Sequence, residues 1–578
     1  MLNPFSALFK KSNQKKPRPS NIKPVLLLVL DGFGIAPSSE GNAISLAKKP
    51  NLTKYYKTFP HGEVIASGES VGLPANEVGN TEVGHLTLGA GRVIDQDLVR
   101  INKSIKDSSF YDNPAFADIL ERLKSKSTAK LHIAGLVGSG NVHSSMDHFW
   151  ALMEFCKKHQ IRNFYLHLFT DGRDSPPQEG ISAVEKIEAF LKNNNMGKVA
   201  TLSGRYYAMD RDGRWDRTKL AYDAMVLGRG VAAKSAVDAI KQSYLDGKTD
   251  EFIVPYVLTK EGGNPVATVD EDDAFFFFNF RIDRPRQLTM SFVLPDFENL
   301  KEYEFGKDPE NDGKNAGKVK FEGGTFRREK VVKNLLFVTM TEYQKGLPVG
   351  GIAFPKIIVE NTLGQVFSEN GLYQLRMSES EKERFVTFYF NGQIEEPFSK
   401  EERLIVSSPK VATYDLKPEM SIFQLVSEFK KKANEGKYSF FLVNLANADM
   451  VGHTGNIPAA TRAIEFIDQA LGEMVEWVLA LDGSVVVTAD HGNVEEMLTY
   501  PTTSFFITTE KGKISTDHSN NPVLLLIASN KLRGKAYTLR QGVSSDIAPT
   551  VLDLAGLKIP SQMSGKSFLE EFRENSTS

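Results

Sequence analysis

Val25-Leu26-Leu27-Leu28-Val29-Leu30 runs directly into Asp31-Gly32-Phe33-Gly34. Successive apolar residues with no polar alternation predict a strand buried on both faces, as in the middle of a parallel sheet covered by helices. Open α/β sheets carry their chemistry just beyond the C-terminal ends of such strands, where this chain sets a carboxylate followed by glycine. A single instance would read as an ordinary strand-to-loop turn, but the pattern recurs. Tyr438 to Asn444 is followed by Asp449 and, four residues on, His453; Val485 to Thr488 leads into Asp490-His491-Gly492; Val523 to Ala528 is preceded by His518. Of ten histidines none falls between His167 and His453, and each of the last three has an aspartate adjacent or four residues away. This mixed oxygen and nitrogen donor set suffices for two divalent ions.

The middle of the chain ends its apolar runs differently. Lys130 to Leu136 leads into Gly138-Ser139-Gly140-Asn141-Val142-His143, and Asn163 to Thr170 ends in Asp171-Gly172-Arg173-Asp174. Lys198 to Ser203 ends in Gly204-Arg205 with Arg211 soon after, and Phe275 to Phe280 in Arg281 and Arg284. Guanidinium forks suit phosphate and carboxylate, which they bind through paired hydrogen bonds. The two patterns predict one region for metal chemistry and another for grasping an anionic small molecule. Helices are expected over Ser145 to Gln160, from Pro176-Pro177 towards Asn194, and over Pro458 to Leu481, so strands and helices alternate throughout as α/β layers.

Gly79-Asn80-Thr81-Glu82-Val83-Gly84-His85 sets a hydroxyl between glycines, just before a segment able to start a helix. Flanking glycines could present Thr81 at a loop tip, and a helix beginning there would aim free N–H groups at an anion. An alcohol so placed is a phosphoryl acceptor if its pKa is lowered; the plainer reading is a threonine helix cap.

With 578 residues, 41% apolar and 25% charged, the chain needs at least two cores. A net charge of −2 argues against a general nucleic-acid binder, no apolar run is long enough to cross a bilayer, and Cys156 alone can form no intrachain disulfide. These features predict a cytoplasmic protein. Residues 1–23 carry six basic residues and no acidic one, and read as a disordered tail, with an organelle transit peptide as the alternative. Gly306 to Arg328 reads as a flexible surface loop and Leu498 to Thr516 as a hairpin.

The motifs Asp31 to Gly34, Gly79 to His85, Asp171 to Asp174, Gly204 to Asp212, Ser407 to Met420, Asp449 to Gly455 and Ala489 to Asn493, in that order, resemble the cofactor-independent phosphoglycerate mutases of the alkaline phosphatase superfamily. The resemblance runs from about Val25 to Lys566. It implies an alkaline-phosphatase-like, mostly parallel sheet flanked by helices (24–97 with 356–578) into which a second α/β domain (98–355) is inserted. It implies interconversion of 3- and 2-phosphoglycerate by a monomer through a phosphoenzyme at Thr81, with no 2,3-bisphosphoglycerate required. Two Mn²⁺ ions are implied, Mg²⁺ or Co²⁺ in some members, one on Asp449, His453 and His518 and the other on Asp31, Thr81, Asp490 and His491. Asp174 and Lys382 would join Thr81 in catalysis, and His143, Arg173, Asp174, Arg205, Arg211, Arg281, Arg284 and Lys382 would bind substrate. The chain departs from the family pattern in having Thr81 for serine, and Gly-Ser-Gly-Asn where Ser-Asp-Gly-Gly is usual before His143. The alternative within the superfamily is a metal-dependent phosphatase or phosphodiesterase.

Overall fold

In the computed structural model, which describes residues 23–300, 302–305, 317–320, 324–499 and 512–574, Val25–Leu30 is the fourth of eight strands in one sheet. Its residues are at most 1% exposed, because neighbours flank it in the sheet and helices cover both faces. The strand order is Glu401–Val406, Tyr373–Glu379, Tyr438–Leu445, Val25–Leu30, Ser484–Thr488, Val523–Ser529, His61–Ile65 and Gly542–Val543. The first five are mutually parallel, while Val523–Ser529 runs antiparallel to both its neighbours. That reversal explains why His518 precedes its strand whereas Asp31 and Asp490 follow theirs: all are delivered to the same edge of the sheet.

A second sheet orders Gly351–Phe354, Leu336–Thr341, Ala274–Phe277, Leu131–Val137, Phe164–Thr170, Lys198–Gly204, Tyr256–Leu258 and Val231–Ala233. It is parallel except where Tyr256–Leu258 meets Lys198–Gly204. Alternate side chains serve opposite faces, Phe276 packing in one apolar cluster and Phe275 and Phe277 in the other. The chain contacts fall into two compact units, one formed by residues up to Gln96 with those from Ile358, the other by Asp97–Ile357. Both are mostly parallel α/β layers, the fold class expected. Among the described residues no helix is long and apolar enough to cross a membrane.

Several element boundaries differ from expectation for local reasons. The helix expected to open at Pro176 begins at Gly180, whose N–H is capped by Asp250 Oδ2 at 2.7 Å, while Pro176 sits in the preceding turn. The phenylalanine-rich strand ends at Phe277, because Asn279 Oδ1 accepts from Leu136 N–H and Phe280 N–H is drawn to the His143 carbonyl. Within the expected loop of 306–328, Gly317–Lys320 is a strand paired antiparallel with Glu302–Phe305; its glycines and charges had suggested an irregular segment. Leu498–Thr499 does pair antiparallel with Lys513–Ile514. The basic stretch 1–22, the rest of the 306–323 segment and the hairpin tip 500–511 lie outside the described residues.

Candidate active site

The helix Thr81–Ala90 brings the hydroxyl to the cluster in the first unit. Asn80, not Thr81, is its N-cap, accepting from Val83 N–H at 3.1 Å. Thr81 is therefore neither a loop tip nor a cap: it occupies the first turn, 6% exposed, with its hydroxyl free for other partners. Those partners are His491 Nε2 at 3.0 Å and Lys382 Nζ at 3.1 Å. Lys382 follows the Tyr373–Glu379 strand and also donates to Asp31 Oδ1 at 2.8 Å and Asp449 Oδ2 at 2.7 Å.

Two groups of ligand atoms converge here: Asp31, Asp490 and His491, and Asp449, His491 and His518, each within 4.8 Å of one another. His453 joins through Asp449 Oδ1 at 3.2 Å and His518 Nε2 at 3.3 Å. The histidines share one device. His453 Nδ1 donates to the carbonyl of Thr516 at 2.8 Å, His518 Nδ1 to that of Gly79 at 2.8 Å, and His491 Nδ1 to that of Gly492 at 3.2 Å. A carbonyl only accepts, so each Nδ1 carries a proton and each Nε2 is the atom turned to the cluster. The hydrogen bond to Asp449 holds His453 above its ordinary value, and at His518 burial is outweighed by the same aspartate.

Burial, and next the neighbouring Asp490, push Asp31 up to about 7. Burial acts against the Lys382 ammonium, but Asp31, Asp449 and Asp490 outweigh it and hold the amine above its ordinary value. Three buried carboxylates and three imidazole Nε2 atoms around one lysine make a mixed oxygen and nitrogen donor set that suits divalent cations, whose binding would displace the imidazole protons. The residues present therefore fit divalent cations that accept mixed oxygen and nitrogen donors.

In the second unit the arginines gather around three aspartates, Asp171, Asp174 and Asp283. Arg205, fully buried, reaches Asp171 Oδ1 and Asp174 Oδ2, each at 2.5 Å. Asp283 accepts from Arg211 at 2.5 Å and lies 3.4 Å from Arg281 Nε and 3.5 Å from His143 Nδ1. Arg284 donates to the Met209 carbonyl at 3.2 Å, and Arg173 reaches Glu251 at 3.2 Å. Burial, helped by Arg205, Arg281 and Arg284, drops His143 to about 3, so its ring is neutral. Burial and the neighbouring Arg205 likewise lower Arg284 to about 10. A cleft of about 350 Å³ opens on Arg173, Arg205 and Arg284, with Arg217 stacked on the Tyr206 ring at 3.7 Å on its rim.

Comparison with known proteins places these features. Residues 101–345 match the family described as BPG-independent PGAM N-terminus, and residues 361–538 match type I phosphodiesterase / nucleotide pyrophosphatase. The chain is 45% identical to the 2,3-bisphosphoglycerate-independent phosphoglycerate mutase of Clostridium acetobutylicum over 95% of this chain and 99% of that one. This chain belongs to that family. The enzyme of the same name from Acetivibrio thermocellus is 44% identical over the same shares. A crystal structure of Leishmania mexicana phosphoglycerate mutase at low cobalt concentration superposes with a TM-score of 0.58, 27% identity and 95% and 98% coverage. Like its family, the chain is an isomerase that interconverts 2- and 3-phosphoglycerate.

For this family member, the structure groups Asp31, Thr81, Lys382, Asp449, His453, Asp490, His491 and His518 in the first unit, and His143, Arg173, Asp174, Arg205, Arg211, Arg281 and Arg284 in the second. Lys382, which the resemblance places both in catalysis and with the substrate arginines, stands among the carboxylates of the first unit. Sequence reading passed over Asp283, although it lies between Arg281 and Arg284. It also passed over His85, which reaches Asp490 Oδ2 at 3.2 Å, and Asn444, which donates to Asp31 Oδ2 at 2.7 Å. The Asn444 signal was present: a lone amide at the end of an apolar strand.

Proposed function

We propose that the isomerisation runs through a phosphorylated Thr81. The observation that carries this reading is the Thr81 hydroxyl held between Lys382 Nζ and His491 Nε2 within a buried donor cluster. Asp449, His453 and His518 would hold one divalent ion and Asp31, Thr81, Asp490 and His491 a second, Mn²⁺ first, with Mg²⁺ or Co²⁺ as alternatives. When bound, such ions acidify the hydroxyl and neutralise phosphoryl charge.

Thr81 Oγ1, ionised before the substrate reacts and left ionised again when the phosphoryl group departs, attacks the phosphorus of 3-phosphoglycerate. An O–P bond forms at Thr81 as the bond from phosphorus to the substrate's C3 oxygen breaks. Lys382 holds charge on the moving phosphoryl group. Asp174 is the proton carrier for the two glycerate hydroxyls: burial would raise its pKa, but Arg205 beside it outweighs this and keeps it ionised and ready to accept. The released C3 oxygen takes a proton while the C2 hydroxyl gives one up, so the exchange closes through one carboxyl. Arg173, Arg205, Arg211, Arg281, Arg284 and neutral His143 hold the glycerate carboxylate and hydroxyls throughout. Because the glycerate stays bound, the C2 oxygen takes the phosphoryl group back and no 2,3-bisphosphoglycerate is needed. A cytoplasmic monomer acting on small phosphoglycerates, with no nucleic-acid or membrane partner, completes the reading.

The test is a rapid denaturing quench with phosphorus-labelled 3-phosphoglycerate, followed by peptide mapping. Label on the Thr81 peptide and 2-phosphoglycerate as main product are expected. Label on another residue removes Thr81 as nucleophile, and free phosphate as main product removes the retained-glycerate mechanism.

A further inference from the structure

We propose that Glu495 is the positioning residue that fixes the ligand-bearing loops of the metal cluster against one another and so sets its affinity for divalent cations. The inference rests on the metal reading above. Glu495 is 2% exposed and its carboxylate is held by four neutral donors. Oε2 accepts from Gly34 N–H at 3.0 Å and Asn493 N–H at 2.9 Å; Oε1 accepts from Asn521 Nδ2 at 3.1 Å and from the Ser519 hydroxyl.

These donors come from three segments, each carrying ligands. Gly34 lies three residues beyond Asp31. Asn493 lies two beyond His491, and its side chain donates to Asp449 Oδ1 at 2.9 Å. Ser519 adjoins His518, and its N–H also bonds the Gly492 carbonyl at 3.0 Å. A displacement of one carboxylate is therefore passed to Asp31, Asp449, His491 and His518 together. The chain keeps room for it: a Cβ on Gly34 would stand 2.2 Å from Glu495 Cδ, and one on Gly492 2.4 Å from Oε1. Gly34 and Gly492 are thereby explained by the close approach of an acid that neither motif contains. Groups bonded to ligand loops set metal affinity by orienting the donors, commonly by 10–100-fold.

The two oxygens divide the work, which makes the test specific. In Glu495→Gln the amide oxygen can still serve Gly34 and Asn493, but the new NH₂ then faces the Asn521 NH₂ and loosens the segment that carries His518. Chelator-treated wild type and variant are titrated with Mn²⁺ in a calorimeter, and metal-free melting is recorded alongside. Two Mn²⁺ are expected on wild type. In the variant one step should weaken about 10–100-fold, with the other nearly unchanged. Wild-type affinity at both steps in a folded variant overturns the proposal. Should Glu495→Gln fail to fold, Ser519→Ala, which deletes one donor and leaves the acid, is expected to weaken the same step about 10-fold, and unchanged affinity there overturns it equally. A wild type that takes up no Mn²⁺ sinks the metal reading itself, and this inference with it.

Discussion

The ammonium of Lys382 donates to the hydroxyl of Thr81 at 3.1 Å from inside a buried cluster, where it also bonds Asp31 and Asp449. That position gives it two separable roles, charge stabilisation in the reaction and compensation of carboxylates at rest. Lys382→Met should lower kcat about 10²–10³-fold, the usual cost of removing one preorganised donor. Metal-free Lys382→Met should also lose about 3–5 kcal/mol of stability, because two buried carboxylates lose their cation. Mn²⁺ should restore part of that loss. Calorimetry with and without Mn²⁺ checks it; equal melting of metal-free variant and wild type would show that Lys382 does not balance the cluster.

Thr81 separates oxygen from methyl. Thr81→Ala should abolish turnover while the Thr81–Ala90 helix persists, since its cap is Asn80. Thr81→Ser keeps the oxygen and relieves the β-branch, which stiffens χ1, so it should remain active and turn over at least as fast as wild type. Steady-state assay of both variants decides. Activity in Thr81→Ala within about tenfold of wild type would reject the nucleophile, since catalytic nucleophiles usually carry far more.

What could be read without a structure was what chain-local chemistry records. Buried strands are apolar on both faces, so Val25–Leu30, Tyr438–Leu445 and Ser484–Thr488 announce themselves, and with them a mostly parallel helix-flanked sheet. Asp31 and Asp490 follow such strands and are visible for the same reason. The antiparallel course of Val523–Ser529 was not legible, because direction is a property of pairing. Nor was the late start of the Gly180–Asn194 helix, whose cap is Asp250, seventy residues away. Asp283 and Glu495 escaped notice because an isolated acid carries no motif: their roles exist only where several distant donors converge on them.

Asp283 joins Arg211, Arg281 and His143. Asp283→Asn removes the charge that aligns two guanidiniums and keeps the shape. Loss of one charged hydrogen-bond acceptor is commonly worth about 1.5–3 kcal/mol, so kcat/KM should fall about 10–100-fold, chiefly through KM. Mn²⁺ content should not change, since every proposed ligand lies in the other unit. Elemental analysis beside kinetics checks both halves, and loss of metal in this variant would mean that the two sets of residues are not independent.

Acid should destabilise the protein through histidines that play no part in the proposed chemistry. Burial lowers His148 to about 3 and His167 well below its ordinary value, the latter in a chain in which Thr201, His167, His132 and Asp273 bond in succession. Both are neutral when folded and titrate near 6.5 when unfolded. Below pH 6.5 the unfolded chain therefore binds more protons, so stability present at neutral pH is lost as pH falls. By pH 5.5 each such histidine costs about 1.4 kcal/mol, or about 3 kcal/mol for the pair. Asp31, held up to about 7, gains stability over the same range. The histidine share is therefore read as the difference between wild type and a non-titrating variant, by denaturant unfolding of chelator-treated protein between pH 7.5 and 5.5. His148→Gln can still donate to Asn102, the 2.9 Å partner of the ring, but it does not titrate, so its slope should be shallower by about one proton. A slope unchanged in His148→Gln would mean that the ring is charged in the folded protein, against the burial that surrounds it.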